Sequence, residues 1–523
     1  MVSAHRRASC AERLLVAALA AGAALAPGEA VAGEPDLSAE ADLTVAIGTT
    51  AAVPTTVALG TTFVSATTAA AGMYAFGAQD ADPLQGITGA DRTLSIDEPF
   101  AYRVFRGLLG MGFLLGMAWL FTAKRRSVSW SLIAKGLGLQ LVFAILVLRT
   151  SWGRSFFRVV NDVVIALISY TNQGAAFLFG GLVNYEVPVT GGEGVVQIGA
   201  NFAFSVLPTI IFFSSLMAVL YFLGVMQRVV KGVAWTMQRT LGTSGAETLS
   251  AAGNIFVGQT EAPLLIRPFV SHMTVSELNT VMTGGFATVA GGVMAAYVAM
   301  LSGYFPDIAG HLLAASIMAA PAGVVISKTL MPETETPETR DSLHIDVEKT
   351  DVNVIDAAAG GAASGLTLAL NVGAMLLAFL ALIALGNGIL GWVTGLFGVE
   401  GVTLERILGW VFAPVAWLIG VPWSDASTIG SLFGIKMVAN EFVAFQTLAD
   451  MLRGGVVLSE KSVIIATYAL TGFANFASIA IQIGGIGGIA PERRHDLSRL
   501  GLRAMLGGTA ATWMTATLAG VLA

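Results

Sequence analysis

Two short polar strings lie inside long apolar stretches of this sequence. The first contains Gln259, Thr260 and Glu261, and the second contains Asn440 and Glu441. Amides and hydroxyls donate and accept hydrogen bonds, carboxylates accept them, and all three offer oxygens to a small cation. A charged carboxyl group at the centre of a spanning helix costs about 2.5–3.5 kcal/mol on insertion scales. We therefore expect both strings to face a protein cavity that holds a polar ligand.

The elements that carry these strings must be membrane helices. Of the 523 residues, 55% are apolar and 12% are charged, whereas a soluble domain is about 25% charged. Several segments reach or approach the ~20 apolar residues that a spanning helix needs. They are Leu108–Phe121, Ser131–Leu148, Phe204–Val225, Phe286–Tyr304, His311–Ile326, Gly365–Leu385 and Leu502–Leu522. The sequence thus predicts an all-α integral membrane protein in a lipid bilayer.

Charge and composition argue against several other classes of protein. A net charge of only -6 argues against a nucleic-acid partner. The single cysteine, Cys10, excludes a disulfide framework, and the five histidines form no paired metal motif. A membrane-embedded hydrolase would need a base beside a nucleophile, and no histidine lies near the polar strings. We therefore expect no enzyme.

The amino terminus is typical of an export signal. Basic residues precede an apolar run over 14–26, and an A-x-A cleavage motif follows it. We predict a signal peptide over 1–32 and an exported, flexible segment over 33–100. The basic loop that begins at Lys124 then lies inside, as the positive-inside rule requires. This predicts a multi-pass protein of the cytoplasmic membrane whose mature amino terminus lies outside.

An internal repeat relates the two polar strings. The string GFAT at 285–288 returns as GFAN at 472–475, and each copy follows a polar string and a Ser-Glu pair in the same order. The topology above runs the two copies in opposite directions. Inverted repeats with glycine-interrupted apolar segments indicate a secondary transporter, whose site lies near the middle of the membrane between the halves.

Each polar string is predicted at the tip of a re-entrant hairpin, over 246–270 and 428–450. Near the first tip, glycine relaxes the backbone and proline lacks a donor. Non-helical backbone at membrane depth is tolerated where it lines a cavity. A structural alternative stays open: Glu261 pairs with Arg267, and Glu441 with Lys436, as buried ion pairs.

About eight transmembrane helices and two hairpins are expected to form a scaffold domain and an inverted-repeat transport domain. Each repeat has an interfacial helix, a hairpin, a broken helix (4 or 7) and a further helix (5 or 8). The predicted segments are scaffold helices 1–3 with an extracellular helix over 101–225, the first repeat over 226–331, a cytoplasmic linker over 332–358, scaffold helix 6 over 359–400 and the second repeat over 401–523.

At these strings the chain resembles the concentrative nucleoside transporters. The resemblance covers roughly residues 100–523 and rests on Gly258–Leu264, Met282–Tyr297, Asn440–Ala444 and Gly472–Ser478. It implies a homotrimer in which each protomer imports nucleosides by alternating access, with a cation as the coupling ion. Proton-coupled members depart from the Gln-Thr-Glu-Ala-Pro pattern, so the resemblance favours sodium.

The resemblance also implies roles for individual residues. Contacts to the base are expected from Gln259, Thr260, Glu261 and Val293. Contacts to the ribose are expected from Glu441, Asn475 and Ser478, with Phe473 lining the same pocket. The sodium ion is expected at Asn254, Val257, Thr288 and Val289, where side-chain and backbone oxygens suit a hard cation.

Two other functions remain open from the sequence. A proton-coupled carrier of a nucleoside or another polar solute would titrate Glu261 or Glu441, and its uptake would follow pH rather than sodium. A nucleoside sensor would bind without transporting, so counterflow would be absent from proteoliposomes.

Overall fold

A computed structural model describes residues 93–94, 98–122, 124–183, 186–188, 195–197, 202–340 and 351–522. The predicted signal peptide, most of the exported segment and residues 341–350 of the predicted linker lie outside the described residues. The expectations for those parts therefore stay predictions.

The described chain is almost entirely helical, as predicted. The α-helices are α1 Phe100–Leu120, α2 Trp130–Leu148, α3 Ser151–Phe179, α4 Phe202–Ser205, α5 Leu207–Phe222, α6 Val225–Leu241, α7 Gly245–Gly253, α8 Val275–Ala287, α9 Gly291–Leu301, α10 Ile308–Leu330, α11 Val354–Gly395, α12 Leu404–Leu418, α13 Trp423–Val438, α14 Glu441–Arg453, α15 Glu460–Leu470, α16 Phe476–Ile489 and α17 Arg494–Leu522. Short 3-10 helices cover Arg125–Ser127, Gly180–Leu182, Ala262–His272 and Pro491–Arg493. Strand β1 Thr93–Leu94 pairs in parallel with β4 Leu458–Ser459, and β2 Glu186–Pro188 pairs antiparallel with β3 Val195–Gln197.

Eight helical segments of the described chain are long and apolar enough to cross a membrane. They are Phe100–Leu120, Trp130–Leu148, Ser151–Leu182, Ala203–Phe222, Val275–Leu301, Ile308–Leu330, Val354–Gly395 and Pro491–Leu522. This number agrees with the predicted one, but the membership differs. Ser151–Leu182 lies within 101–225, where three spans and an extracellular helix were predicted, and which of these it forms stays a prediction. The seventh expected span, formed by α15 and α16, consists of two helices that are each too short to cross alone.

The first polar string lies at the tip of a helical hairpin, as predicted. Helix α7 begins with a capping box, in which the Ser244 side chain accepts from the Glu247 backbone and Glu247 accepts from the Ser244 backbone. The chain then turns through residues 254–261 and returns as the 3-10 helix. Pro263 and Pro268 lie in this returning arm, and proline removes the donors that an α-helix would need.

The second hairpin consists of α13 and α14, joined at Ala439 and Asn440. The Asn440 side chain accepts a 2.8 Å hydrogen bond from the Val443 backbone N–H and so caps α14. Helix α12 precedes this hairpin and bends against α13 by 118°. The tip that carries Asn440 and Glu441 is therefore a tight turn between two helices.

The two repeated GFA strings form helix breaks that touch each other. The first break separates α8 from α9 at residues 288–290, and the second separates α15 from α16 at residues 471–475. Gly472 adopts φ +109°, and a β-carbon there would lie 2.7 Å from the Phe286 carbonyl oxygen. Only glycine permits both this conformation and this backbone contact.

Helices outside the hairpins fall into two packing groups. Helix α5 packs along α11, while α1 and α2 pack on α10 and α17. Helix α11 spans 42 residues and presents exposed side chains such as Leu377, Leu385 and Trp392. The core that surrounds the hairpins is thus built mainly from α8, α10 and α17, and α11 lies at the periphery.

Candidate functional site

The Glu441 carboxylate accepts hydrogen bonds from two other elements. Glu441 is the first residue of α14 and is 5% exposed. Asn475 Nδ2 donates to Glu441 Oε2 at 2.8 Å, and the Tyr297 hydroxyl on α9 donates to Glu441 Oε1 at 3.3 Å. Tyr297 is itself fixed by stacking on Phe445, with ring centroids 4.3 Å apart. This carboxylate is therefore oriented before any ligand arrives.

Asn475 uses both ends of its amide. Its Oδ1 accepts a 2.8 Å hydrogen bond from the Ser478 backbone N–H and so caps α16. Its Nδ2 is consequently directed at Glu441. The hydroxyl of Ser478, one turn into α16, accepts a 3.2 Å hydrogen bond from Gln259 Nε2 in the first hairpin.

A third amide, Gln482, extends this hydrogen-bond chain beyond Gln259. Gln482 Nε2 donates to Gln259 Oε1 at 2.9 Å and to the Met282 carbonyl at 3.1 Å. Gln482 is not among the site residues predicted from the sequence. A signal was present, since Gln482 lies four residues after Ser478 and seven after Asn475, on one face of an otherwise apolar helix. Hydrogen bonds thus run without interruption from Gln259 in one half to Glu441 in the other.

The remaining predicted residues surround this chain but do not join it. Thr260 is half-buried, and its Cγ2 lies 2.8 Å from where a Gly485 β-carbon would stand. Val293 and Phe473 are buried, and Val293 lies one turn before Tyr297 on α9. Glu261 is exposed, beside Gly258, and within the described residues no hydrogen bond or ion pair joins its side chain to the other predicted residues.

The alternative of two structural ion pairs is not observed. Within the described part of the chain, the ion pairs include neither Glu261 with Arg267 nor Glu441 with Lys436. Arg267 is exposed. The Lys436 ammonium donates instead to the Ala469 carbonyl at 2.8 Å.

The residues predicted to hold a cation converge at the first helix break. Asn254 ends α7, is 1% exposed, and has no hydrogen-bond partner at Oδ1 or Nδ2. A β-carbon on Gly284 would lie 3.5 Å from Asn254 Nδ2, so this amide faces the end of α8. Thr288 ends α8, and its hydroxyl donates to the Gly284 carbonyl at 2.9 Å, which leaves its lone pairs available.

A buried amide without a hydrogen-bond partner indicates a ligand. The groups around the Asn254 amide offer hard oxygens to such a ligand. Val289 is buried and Val257 is half-buried, and their carbonyls follow irregular backbone. The described residues contain no group of three or more His, Cys, Asp or Glu side chains that could hold a metal. These residues fit a small hard cation bound by amide, hydroxyl and carbonyl oxygens.

Three segments of the chain match known protein families. Residues 109–182 match the family described as Na+ dependent nucleoside transporter N-terminus, residues 203–304 match the one described as Nucleoside recognition, and residues 311–520 match Na+ dependent nucleoside transporter C-terminus. The chain is 48% identical to the uncharacterized transporter YutK of Bacillus subtilis, over 80% of this chain and 99% of that protein. It is 42% identical to rat sodium/nucleoside cotransporter 1, over 76% of this chain and 60% of that protein.

Solved structures agree with these sequence matches. The structure of CNTnw in an inward-facing substrate-bound state superposes with a TM-score of 0.72 and 46% identity, covering 80% of this chain and 98% of that one. A CNTnw variant in an outward-facing state gives 0.74 and 46%, covering 81% and 99%. The resemblance found in the polar strings is therefore confirmed, and these relatives are transporters rather than enzymes. The chain belongs to the concentrative nucleoside transporter family, whose members are multi-pass membrane proteins.

Proposed function

We propose that this chain is a sodium-coupled symporter that imports nucleosides across the cytoplasmic membrane by alternating access. The observation that carries the proposal is the hydrogen-bond chain from Gln259 to Glu441, because it joins the two hairpins inside an apolar helical core. Inverted-repeat transporters bind solute at such a junction. The family match supports a nucleoside as the solute.

The chemistry of the chain suits the two halves of a nucleoside. Glu441 accepts hydrogen bonds, so its carboxylate suits ribose hydroxyls, with Asn475 and Ser478 beside it. Gln259 and Thr260 offer donors and acceptors to the base. Val293 and Phe473 supply apolar surface to its faces, and we propose that Glu261 turns inward when the base binds.

Sodium is proposed at Asn254, Val257, Thr288 and Val289. Sodium binding and nucleoside binding are coupled because their residues are neighbours. Asn254 and Gln259 belong to one hairpin tip. Gln259 also packs on the broken helix, where its Cβ lies 2.9 Å from the position that a β-carbon on Gly285 would take. A cation that orders this break also positions Gln259. Binding of sodium and of nucleoside must therefore strengthen each other by the same factor.

We propose which helices move during transport from the way the helices pack. Helices α5 and α11 form the fixed scaffold, and the hairpins with α8, α10 and α17 form the transport domain. Helices α1 and α2, which the sequence analysis put in the scaffold, pack on α10 and α17 and are proposed to travel with the transport domain. The exposed apolar face of α11 is proposed to contact neighbouring protomers of a homotrimer, with the mature amino terminus outside.

The proposal is tested by uptake of radiolabelled uridine and adenosine into proteoliposomes, with sodium or choline outside. We expect sodium to stimulate uptake in the parent protein. Glu441→Gln should abolish uptake, because a neutral amide replaces an acceptor-only group beside Asn475. The control is Glu405→Gln, which changes a carboxylate that accepts from Asn387 at 3.0 Å, outside the site.

Each other outcome has a distinct meaning. Normal uptake by Glu441→Gln would reject the role of Glu441. Uptake that follows pH and ignores sodium would replace sodium coupling by proton coupling. Nucleoside binding without counterflow would identify a sensor. Size-exclusion chromatography of each variant checks that it remains folded and assembled.

A further inference from the structure

Lys436 is a completely buried cation that the proposed transport site does not use. It lies near the end of α13 and is 1% exposed. Its ammonium group has three N–H donors and three acceptors within reach: the Ala469 carbonyl at 2.8 Å, the Thr512 hydroxyl at 3.4 Å and the Thr471 carbonyl at 3.5 Å. These acceptors are neutral oxygens rather than carboxylates.

The Lys436 ammonium group lies at the carboxyl end of α15, the first part of the second broken helix. Helix α15 ends at Leu470, and Thr471 is its C-terminal cap. The last carbonyls of a helix lack partners within it and carry the negative end of the helix dipole. A positive charge at this point is therefore favourable, whether it comes from a side chain or from a free ion.

The inverted repeat gives this position a counterpart in the first half. Aligning Gly472 with Gly285 makes Thr471 the counterpart of Gly284. Lys436 lies two residues before the end of α13, as Ala251 does before the end of α7. A β-carbon on Gly284 would lie 3.8 Å from Ala251 Cα, so the two halves make corresponding contacts.

The two halves differ in the group that meets the broken helix. In the first half Ala251 is small, and one turn later the unpartnered Asn254 amide faces Gly284. In the second half the Lys436 side chain fills the equivalent space and brings its own charge to the carbonyl oxygens of Ala469 and Thr471.

We propose that Lys436 is a tethered cation that occupies the second repeat's counterpart of the sodium site. The chain then takes up one sodium ion per nucleoside, because its second helix break is already neutralised. This inference rests on the proposed sodium-coupled transport. It states that a single side chain of the second hairpin, Lys436, sets the number of sodium ions taken up per nucleoside.

The first test measures the coupling ratio of the parent protein. Radiolabelled sodium and uridine fluxes are recorded together in proteoliposomes at a clamped potential. We expect one sodium ion per uridine. A ratio of two would overturn the inference while leaving sodium-coupled transport intact. Uptake without any sodium stimulation would reject the proposed function instead, and the inference with it.

The second test separates charge from space at position 436. Lys436→Ala removes the charge and opens room for an ion among the three oxygens, whereas Lys436→Met removes the charge and keeps the space filled. We expect the coupling ratio of Lys436→Ala to shift from one towards two, with a steeper dependence of uptake on sodium. Lys436→Met should show reduced uptake and a ratio that stays at one.

Lys461→Met is the matched control. Lys461 lies at the other end of α15 and pairs with Glu98 at 2.5 Å, so the variant removes an ammonium group from the same helix without touching the break. Its ratio should stay at one. If the variants at position 436 do not transport, the proposal is tested instead by the effect of sodium on their melting temperatures in detergent. Sodium should stabilise Lys436→Ala more than Lys436→Met, and equal stabilisation of the two would contradict the proposal.

Discussion

Gln482 donates a 2.9 Å hydrogen bond to Gln259 and thereby joins α16 of the second half to the hairpin tip of the first. The same amide also donates to the Met282 carbonyl, in the helix that leads to the other break. One side chain thus fixes the orientation of a proposed base-binding residue relative to both broken helices. Nucleoside recognition should depend on it as strongly as on the residues that touch the solute.

Replacing Gln482 by methionine should weaken nucleoside binding about tenfold. The change keeps the shape of the side chain but leaves Gln259 Oε1 without the donor from Gln482, and a buried unsatisfied group costs about 1–3 kcal/mol. The KM for uridine uptake measures this. Gln446→Met is the control, since Gln446 donates to Asp450 on its own helix, at 3.0 Å. An unchanged KM in Gln482→Met would show that Gln259 keeps its orientation unaided.

Replacing Thr288 should change the sodium dependence of uptake according to the hydroxyl. Thr288→Val keeps the shape and removes the oxygen, so the sodium concentration for half-maximal uptake should rise about tenfold, which corresponds to ~1.4 kcal/mol. Thr288→Ser keeps the oxygen and should stay close to the parent. Thr367→Val removes a similar hydroxyl, which donates to the carbonyl four residues earlier, from the peripheral helix α11. Equal sodium dependence of the valine and serine variants at position 288 would exclude the hydroxyl as a ligand.

Replacing Gly472 by alanine should destabilise the protein. The left-handed backbone at φ +109° costs an L-residue about 1–2 kcal/mol, and the added β-carbon would lie 2.7 Å from the Phe286 carbonyl oxygen. We expect a clear fall in the melting temperature and loss of uptake. Gly488→Ala tests the same substitution on α16, where a β-carbon would meet no atom within 4 Å. A variant at position 472 as stable as the parent would show that the two breaks can separate.

Acid should destabilise the protein through Glu333, which follows α10. Burial raises the pKa of Glu333, but the Lys328 ammonium at 3.3 Å and the hydrogen bonds to its carboxylate outweigh burial and bring the pKa below its ordinary value of 4.5. A pKa lowered by folding means that the ionised group contributes stability above pH 4.5, and that this contribution is lost as pH falls through the folded-state pKa.

The melting temperature of Glu333→Gln should therefore be lower than that of the parent at neutral pH and converge with it in acid. Thermal unfolding from neutral to acidic pH measures this difference. Glu335→Gln, which changes an exposed neighbour, should follow the parent throughout. A constant gap between Glu333→Gln and the parent would assign the effect to packing rather than to the charge.

Local sequence signals predicted the elements that carry the site. The polar strings and the repeated GFA motif predicted both hairpins and both helix breaks, because glycine, proline and buried carboxylates act on the chain nearby. Four predicted residues, Gln259, Glu441, Asn475 and Ser478, lie in one hydrogen-bond chain. Their roles in nucleoside binding stay predictions.

Partners that lie far away in the chain could not be predicted in the same way. The contact of Tyr297 with Glu441 spans 144 residues and that of Gln482 with Gln259 spans 223, and no periodicity along one helix encodes such distances. Lys436 shows the same limit, since its proximity to Glu441 in the sequence suggested an ion pair. The fold turns its ammonium group towards α15 instead.

The backbone contact between Gly472 and Phe286 constrains how the two repeats can diverge. If the repeats arose by duplication, the helix break of each repeat has since had to stay compatible with the break of the other, because the two are in contact. An added side chain or an inserted residue at one kink would clash first with the kink of the other repeat. Substitutions at the two kinks should therefore be tolerated only in compatible pairs, even where the surrounding helices have drifted far apart in sequence.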